Sequence, residues 1–265
     1  MIRPTQIASV FRFEWNRSAT LARWAWWGAM VFFPVAVVTL LLANKVNFGN
    51  VEDRIWTGVL FALVPDVVCL LGLLLWATPI VQTELEANSW TYLVSRPGAK
   101  ASVLLGKYLA AVNWTLLAAL AGLTISVIAI AVVRPVAVGR IWIVLAGLSV
   151  LSCIAYGALY CLIGALFHRR AMVTAVPYTL LIEFVVGSLP AVVNQFTVQF
   201  RLRCLLIKWM NWDELLGART DDLPLFFDTA PAWQHVAILL GFSAAALALS
   251  IYVLHRREYI TGDES

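Results

Sequence analysis

VLLGKYLAAVNWTLLAALAGLTISVIAIAVV, residues Val103–Val133, carries one charged side chain, Lys107, and decides the fold. A membrane barrel strand takes about 9–11 residues and a spanning helix about 20. The run exceeds both, so it predicts a helix that tilts or projects beyond the bilayer. Lipid offers backbone amides no partners, and a helix satisfies them internally. Five further runs have the same character: Trp24–Ala43, Trp56–Val81, Ile141–Phe167, Val173–Asn194 and Trp233–Leu254. Over the 265 residues, 62% are hydrophobic and 13% charged, with a mean hydropathy of +0.84. Ordinary soluble domains are roughly 45–50% apolar and about 25% charged. The expectation is an all-α integral membrane protein with six transmembrane helices. No internal repeat, soluble domain or low-complexity tail interrupts residues 1–265, which form a single membrane domain.

The net charge of +4 does not indicate nucleic acid, because the basic residues are spread over short connecting segments. Membrane topology accounts for them better. With a cytoplasmic N-terminus, the inner segments hold Arg3, Arg12, Arg17, Arg23, Arg96, Lys100, Lys107, Arg169, Arg170, Arg256 and Arg257. The outer segments hold Lys45, Arg54, Arg134, Arg140, Arg201, Arg203, Lys208 and Arg219, half of them in one long loop. The excess of inner cations places both termini in the cytoplasm. The first apolar run starts near residue 24, is too long for a signal core and has no small-x-small site after it, so it is expected to be retained. Cys69, Cys153 and Cys161 fall within spans as small packing residues, and Cys204 falls outside them, so no disulfide framework or metal cluster is implied.

Residues 1–23 precede the first span. Within them Ile7, Val10, Phe11, Ser18, Leu21 and Ala22 fall near one helical face, while Arg12, Asn16 and Arg23 fall elsewhere. The pattern predicts a helix in the membrane interface, with an ordinary solvated lead-in as the alternative. Trp24, Trp26 and Trp27 mark entry into lipid. The loop 195–232 is too long for a simple connection. Its first part, FTVQFRLRCLLIKWMNW, reads as an interfacial or re-entrant helix, and the acidic, turn-rich remainder as surface loop; it serves as structural cap or substrate gate. Two carboxylates lie within spans: Asp66, directly after Pro65, and Glu183. A carboxylate near mid-membrane costs about 2.5–3.5 kcal/mol on insertion scales, so such groups usually face a bundle interior or a cavity. Both are candidates for an intramembrane pathway; a protonated carboxyl bonded to a neighbouring helix is the structural alternative.

Catalytic motifs fail on their spacing. A phosphate-binding loop needs G-x-x-x-x-G-K-[ST]. Here Ala101 stands five before Gly106, and Tyr108 follows Lys107. Lys107 instead reads as an interfacial cation that reaches the headgroups. His168, His235 and His255 are scattered and none lies in an H-E-x-x-H run; Gly187-Ser188 is followed by Leu189-Pro190 rather than a nucleophile elbow.

There remains ELEANSWTYLVSRPGAK, residues 84–100, within a polar segment, 82–102, that the topology places in the cytoplasm. Glu84, Glu86 and Asn88 precede Trp90-Thr91-Tyr92-Leu93, and Arg96-Pro97-Gly98 breaks the helix behind them. Aromatic anchors beside carboxylates suit a groove on a protein partner. A polar loop with a Trp at the headgroups is the alternative.

This segment resembles the permease subunits of ABC-2 type transporters. They carry a pattern close to E-x-E-x-G-T-W-x-Y-L-L-S-R-P-x-S-R after the second span, then an apolar run with Gly-Lys near its start. Glu84, Glu86, Trp90, Tyr92, Leu93, Ser95, Arg96, Pro97, Gly106 and Lys107 match in order. Asn88 stands where Gly is usual, Ser89 where Thr is usual, and Gly98-Ala99-Lys100 where a Val-Ser-Arg-like trio is common. The resemblance implies an N-terminal interfacial elbow, re-entrant helical pieces after the fifth span and a coupling helix around Glu84, Glu86, Trp90, Tyr92, Arg96 and Pro97. That helix would dock into a separate ATPase subunit. It further implies a pair of permease subunits, homo- or heterodimeric, in the cytoplasmic membrane, with ATP and Mg bound by the partner. No cofactor or catalytic residue is then expected in this chain. Two other readings stay open: a proton-coupled secondary transporter relaying through Asp66 and Glu183, and a non-transporting membrane anchor or assembly factor.

Overall fold

A computed structural model of the chain describes residues 4–44, 52–86, 98–133, 138–167, 169–187, 197–212 and 230–256. Among these residues there is no strand. Helix α1 is Pro4–Ser18 and α2 is Leu21–Ala43. Helix α3 covers 52–77 as three consecutive stretches: α-helical Glu52–Phe61, wide π-helical Ala62–Val68, and α-helical Cys69–Ala77. Then come α4 (Ile80–Glu86), α5 (Ala99–Val133) and α6 (Val138–Leu166). Helix α7 joins α-helical Ala171–Tyr178 to π-helical Thr179–Val186, α8 is Val198–Trp209, and α9 is Ala232–Arg256.

Five helices are long and apolar enough to cross a membrane: Leu21–Ala43, Asp53–Glu86, Ala99–Val133, Val138–Leu166 and Ala232–Arg256. The protein is a multi-pass helical membrane protein. The run expected as a sixth span, Val173–Asn194, contributes a shorter apolar helix, Ala171–Val185, and residues 188–196 lie outside the described residues. Helix α5 starts at Ala99, four residues earlier than its apolar pattern. At about 1.5 Å per residue its 35 residues outrun a hydrocarbon core of about 30 Å.

Helix α6 is the central post. Leu145, Leu148, Tyr156 and Tyr160 on it are fully buried, and α3, α5, α7, α8 and α9 pack around it. The outer faces of α2 and α9 stay apolar and uncovered, as with Phe32 (68% exposed) and Trp233 (71%). In water such faces would be a liability; in lipid the solvent is itself apolar, and close approach of helices matters more. Gly164 of α6 shows this: a methyl there would overlap the backbone carbonyl oxygen of Thr78, between α3 and α4.

Cross-links define two ends of the bundle. At the first, Ser102 of α5 donates to the Gln6 side chain of α1 (3.4 Å), and Lys100 donates to the Leu254 carbonyl near the end of α9 (3.3 Å). At the other, Arg140 of α6 donates to the Trp209 carbonyl at the end of α8 (3.1 Å). Helix α8 covers only about half the height of α6. Its twelve residues amount to about 18 Å. It starts level with Tyr156 and ends beside Arg140 and Gly147.

Candidate functional site

The two in-span carboxylates lie on the two π-helical stretches. Proline is the local cause at Asp66: Pro65 has no N–H to give the preceding turn, and a widened turn accommodates the loss. The side-chain hydroxyl of Ser152 on α6 donates to the Pro65 carbonyl (2.7 Å), so the irregular backbone is satisfied from the central post. Pro177 stands two residues ahead of the stretch that bears Glu183. π-Helical turns occur disproportionately at functional sites.

The structure brings Asp66 and Glu183 into one network through a residue the sequence analysis did not single out, Gln199. Its side-chain Nε2 donates to Asp66 Oδ2 (3.1 Å), and its backbone N–H donates to Glu183 Oε2 (3.4 Å). Tyr156 Oη also donates to Glu183 Oε2 (3.0 Å). Asp66, Glu183 and Gln199 are 6%, 2% and 7% exposed. Glu183 therefore sits at the N-terminus of α8, where unpaired amides and the helix dipole favour an anion. Thr197 caps the same turn, its side chain accepting from the Phe200 N–H (3.3 Å). Asp66 is less completely served, since its Oδ1 and Gln199 Oε1 are buried without a hydrogen-bond partner among the described residues. Gln199 was legible only as one amide in an amphipathic stretch; its position inside the bundle depends on how α8 packs.

Beside Asp66 an open groove of about 450 Å³ runs between α3 and α8 towards the end of the bundle that holds Arg140. Arg54, Gly58, Phe61 and Ala62 line it from α3, and Arg203, Leu206 and Ile207 from α8, with Trp212 beyond. Arg203 donates from Nη1 to the Gly187 carbonyl (3.1 Å). Cys204, expected outside the spans, is buried on α8, 2% exposed.

At the opposite end of the bundle the polar segment 82–102 has its root. Glu84 and Glu86, alike in the sequence, diverge. Glu86 is exposed and accepts from Gln82 Nε2 (2.8 Å). Glu84 is buried and ion-paired with Lys107 of α5, whose Nζ also stands 3.8 Å from Glu14 of α1 and donates to Thr83 Oγ1 (3.4 Å). Lys107 is 7% exposed, so it does not reach for the headgroups as its position near the start of an apolar run suggested. Two carboxylates are close enough to compensate it, and ion pairing outcompetes extension towards water.

Gly106 makes that joint possible. A methyl there would lie 2.6 Å from Val10 Cγ1 and 3.2 Å from the Phe11 amide nitrogen, so glycine lets α1 cross directly over α5. Next to it the rings of Trp15 and Trp114 stack at 4.8 Å, with Trp24 and Trp76 edge-on to Trp114 at 5.2 and 6.5 Å. A small cavity of about 70 Å³ lies within, lined by Glu14, Ser18, Arg23, Trp76, Thr83 and Lys107 among others. Trp90, Tyr92, Arg96 and Pro97 lie outside the described residues. Among the described residues, no three of the His, Cys, Asp and Glu side chains form a group able to hold a metal ion.

No protein-family model matches the chain, and no curated protein matches it.

Proposed function

We propose that this chain is the membrane subunit of an ABC-2-like exporter in the cytoplasmic membrane, worked by a separate ATPase subunit that binds ATP and Mg. The observation that carries the proposal is the Glu84–Lys107–Glu14 joint at the root of the segment that resembles a coupling helix. A lever needs a stiff mounting. Here the first carboxylate of the segment is tied to α5 and α1 together, so a push on residues 84–97 is passed to two helices rather than absorbed in a loop. In this proposal α1 is the interfacial elbow, α7 belongs to the sixth crossing, and α8 is the re-entrant piece. Two such subunits, alike or different, form the pathway, with Asp66 and Glu183 facing it; both termini are cytoplasmic and membrane lipid surrounds the pair.

The test is affinity purification of the full chain from native membranes, with flux measured in the same preparation. Trp90→Ala together with Arg96→Ala should remove the co-purifying ATPase and abolish export. A complex and a flux that both persist undiminished would sink the coupling claim.

A proton-coupled secondary transporter is the second reading, favoured by the buried link from Asp66 through Gln199 to Glu183. Collapsing the proton gradient while ATP is maintained separates the two. Export continues in the first and stops in the second.

A further inference from the structure

We infer that the groove between α3 and α8 binds an anionic amphiphile drawn from the membrane, its charged group held by Arg203 and its apolar chain by Phe61, Leu206, Ile207 and Trp212.

The charge accounting of the groove leads there. Among the described residues Arg203 is half-buried in an apolar wall, makes one hydrogen bond, to the Gly187 carbonyl, and has no ion pair; Asp66, deeper in the same groove, attracts it electrostatically without forming one. Arg54, exposed on the same groove, likewise has no ion pair among them. A cation held against apolar side chains at membrane depth is costly unless an anion or water meets it. The guanidinium fork has five donors and suits a phosphate or carboxylate in two-point contact. One donating nitrogen of Arg203 is engaged, which leaves the rest of the fork for a ligand.

The groove also bounds where the anion stops. Asp66 closes the inner end, and a negative group pushed past Arg203 would meet its carboxylate. Arg203 lies four residues beyond Gln199, the residue that holds Asp66, and so one helical turn towards the mouth. Arg54 is twelve residues from Asp66, or about 18 Å along α3, where it can meet an incoming anion first. A volume of about 450 Å³ falls in the roughly 300–1,000 Å³ range of small-molecule sites, and six of the nine lining residues are apolar or glycine, which leaves room and surface for a chain. Gly58 adds space: a methyl there would meet nothing within 4 Å.

This deepens the exporter proposal by naming a ligand class, and rests on it only for the claim that the ligand is cargo. Binding is measured on the isolated chain, so a failed binding test leaves the ATPase claim standing, and a failed ATPase test leaves the binding site standing. The full-length protein, purified in an uncharged detergent, is titrated with dodecyl phosphate, dodecyltrimethylammonium or inorganic phosphate while its thermal unfolding is followed. Dodecyl phosphate should raise the unfolding temperature saturably, and the other two should not. Arg203→Gln should weaken the apparent affinity by about tenfold or more, the value of a hydrogen bond to a charged group. Gly58→Phe, whose Cβ would meet nothing within 4 Å and whose ring would occupy the groove, should abolish saturation while keeping the starting unfolding temperature. An equal response to the cationic amphiphile, a full response to inorganic phosphate alone, or unchanged saturation in both variants would overturn the inference.

Discussion

Asp66 and Glu183 differ in what their oxygens lack. Glu183 accepts from Tyr156 Oη and from the first-turn amide of Gln199, so it pins α8 to α6. Asp66 accepts from Gln199 Nε2 and keeps one buried oxygen without a partner among the described residues. The two substitutions should therefore rank differently in stability. Glu183→Ala strands the Tyr156 hydroxyl and an amide of α8, at about 1–3 kcal/mol for each unsatisfied group. Asp66→Asn keeps the size of the side chain and still offers Gln199 an oxygen acceptor, so it should stay within about 1 kcal/mol of the native chain. Thermal or denaturant unfolding in detergent measures both, and the reverse order would show that Glu183 is not the pin. The sequence displayed these carboxylates as equivalent because depth in an apolar run is all that a run reveals. Their difference comes from α8, which supplies a helix N-terminus to one and an amide side chain to the other.

Among the elements, α1, α4 and α5 meet at one buried cation. Lys107→Met should destabilise the protein by about 3–5 kcal/mol, because it takes the paired cation away from the buried Glu84 carboxylate, while half-buried Glu14 keeps Arg17 at 3.8 Å. Adding Glu84→Gln should recover part of that loss, since the buried carboxylate that lost its cation is then neutral; unfolding of the single and double variants checks the sign. A double variant no more stable than the single would mean that Glu84 does not depend on Lys107. The existence of α1, α2, α3, α5, α6 and α9 was legible from apolar runs and one amphipathic face, because lipid makes helix formation compulsory there. The joint was not. Glu14, Glu84 and Lys107 lie far apart in sequence, and only the crossing of α1 over Gly106 brings them together. The π-helical stretches were half visible: Pro65, directly before Asp66, frees a carbonyl one turn back, yet a proline alone does not distinguish a kink from a widened turn.

For the molecule as a whole, the two ends of the bundle give a direct test of orientation. Cys69, Cys153, Cys161 and Cys204 are at most 2% exposed, so the native thiols should resist alkylation in the folded protein. Ser9, on the exposed side of α1, and Gly139, at the start of α6 with open space around it, lie at opposite ends. An impermeant maleimide added to intact cells should label Gly139→Cys and spare Ser9→Cys until the membrane is opened. The opposite pattern would invert the proposed topology. The five indoles of Trp15, Trp24, Trp27, Trp76 and Trp114 carry a different consequence, because they are contributed by α1, α2, α3 and α5 with neighbouring ring centroids between 4.8 and 6.5 Å apart. Indole transitions this close and this fixed couple to one another and give a near-ultraviolet circular dichroism signal that vanishes when the rings separate. The protein thus contains its own strain gauge: a spectrum recorded as ATP, a partner or a ligand is added reports, without a label, whether α1 stays clamped or lifts.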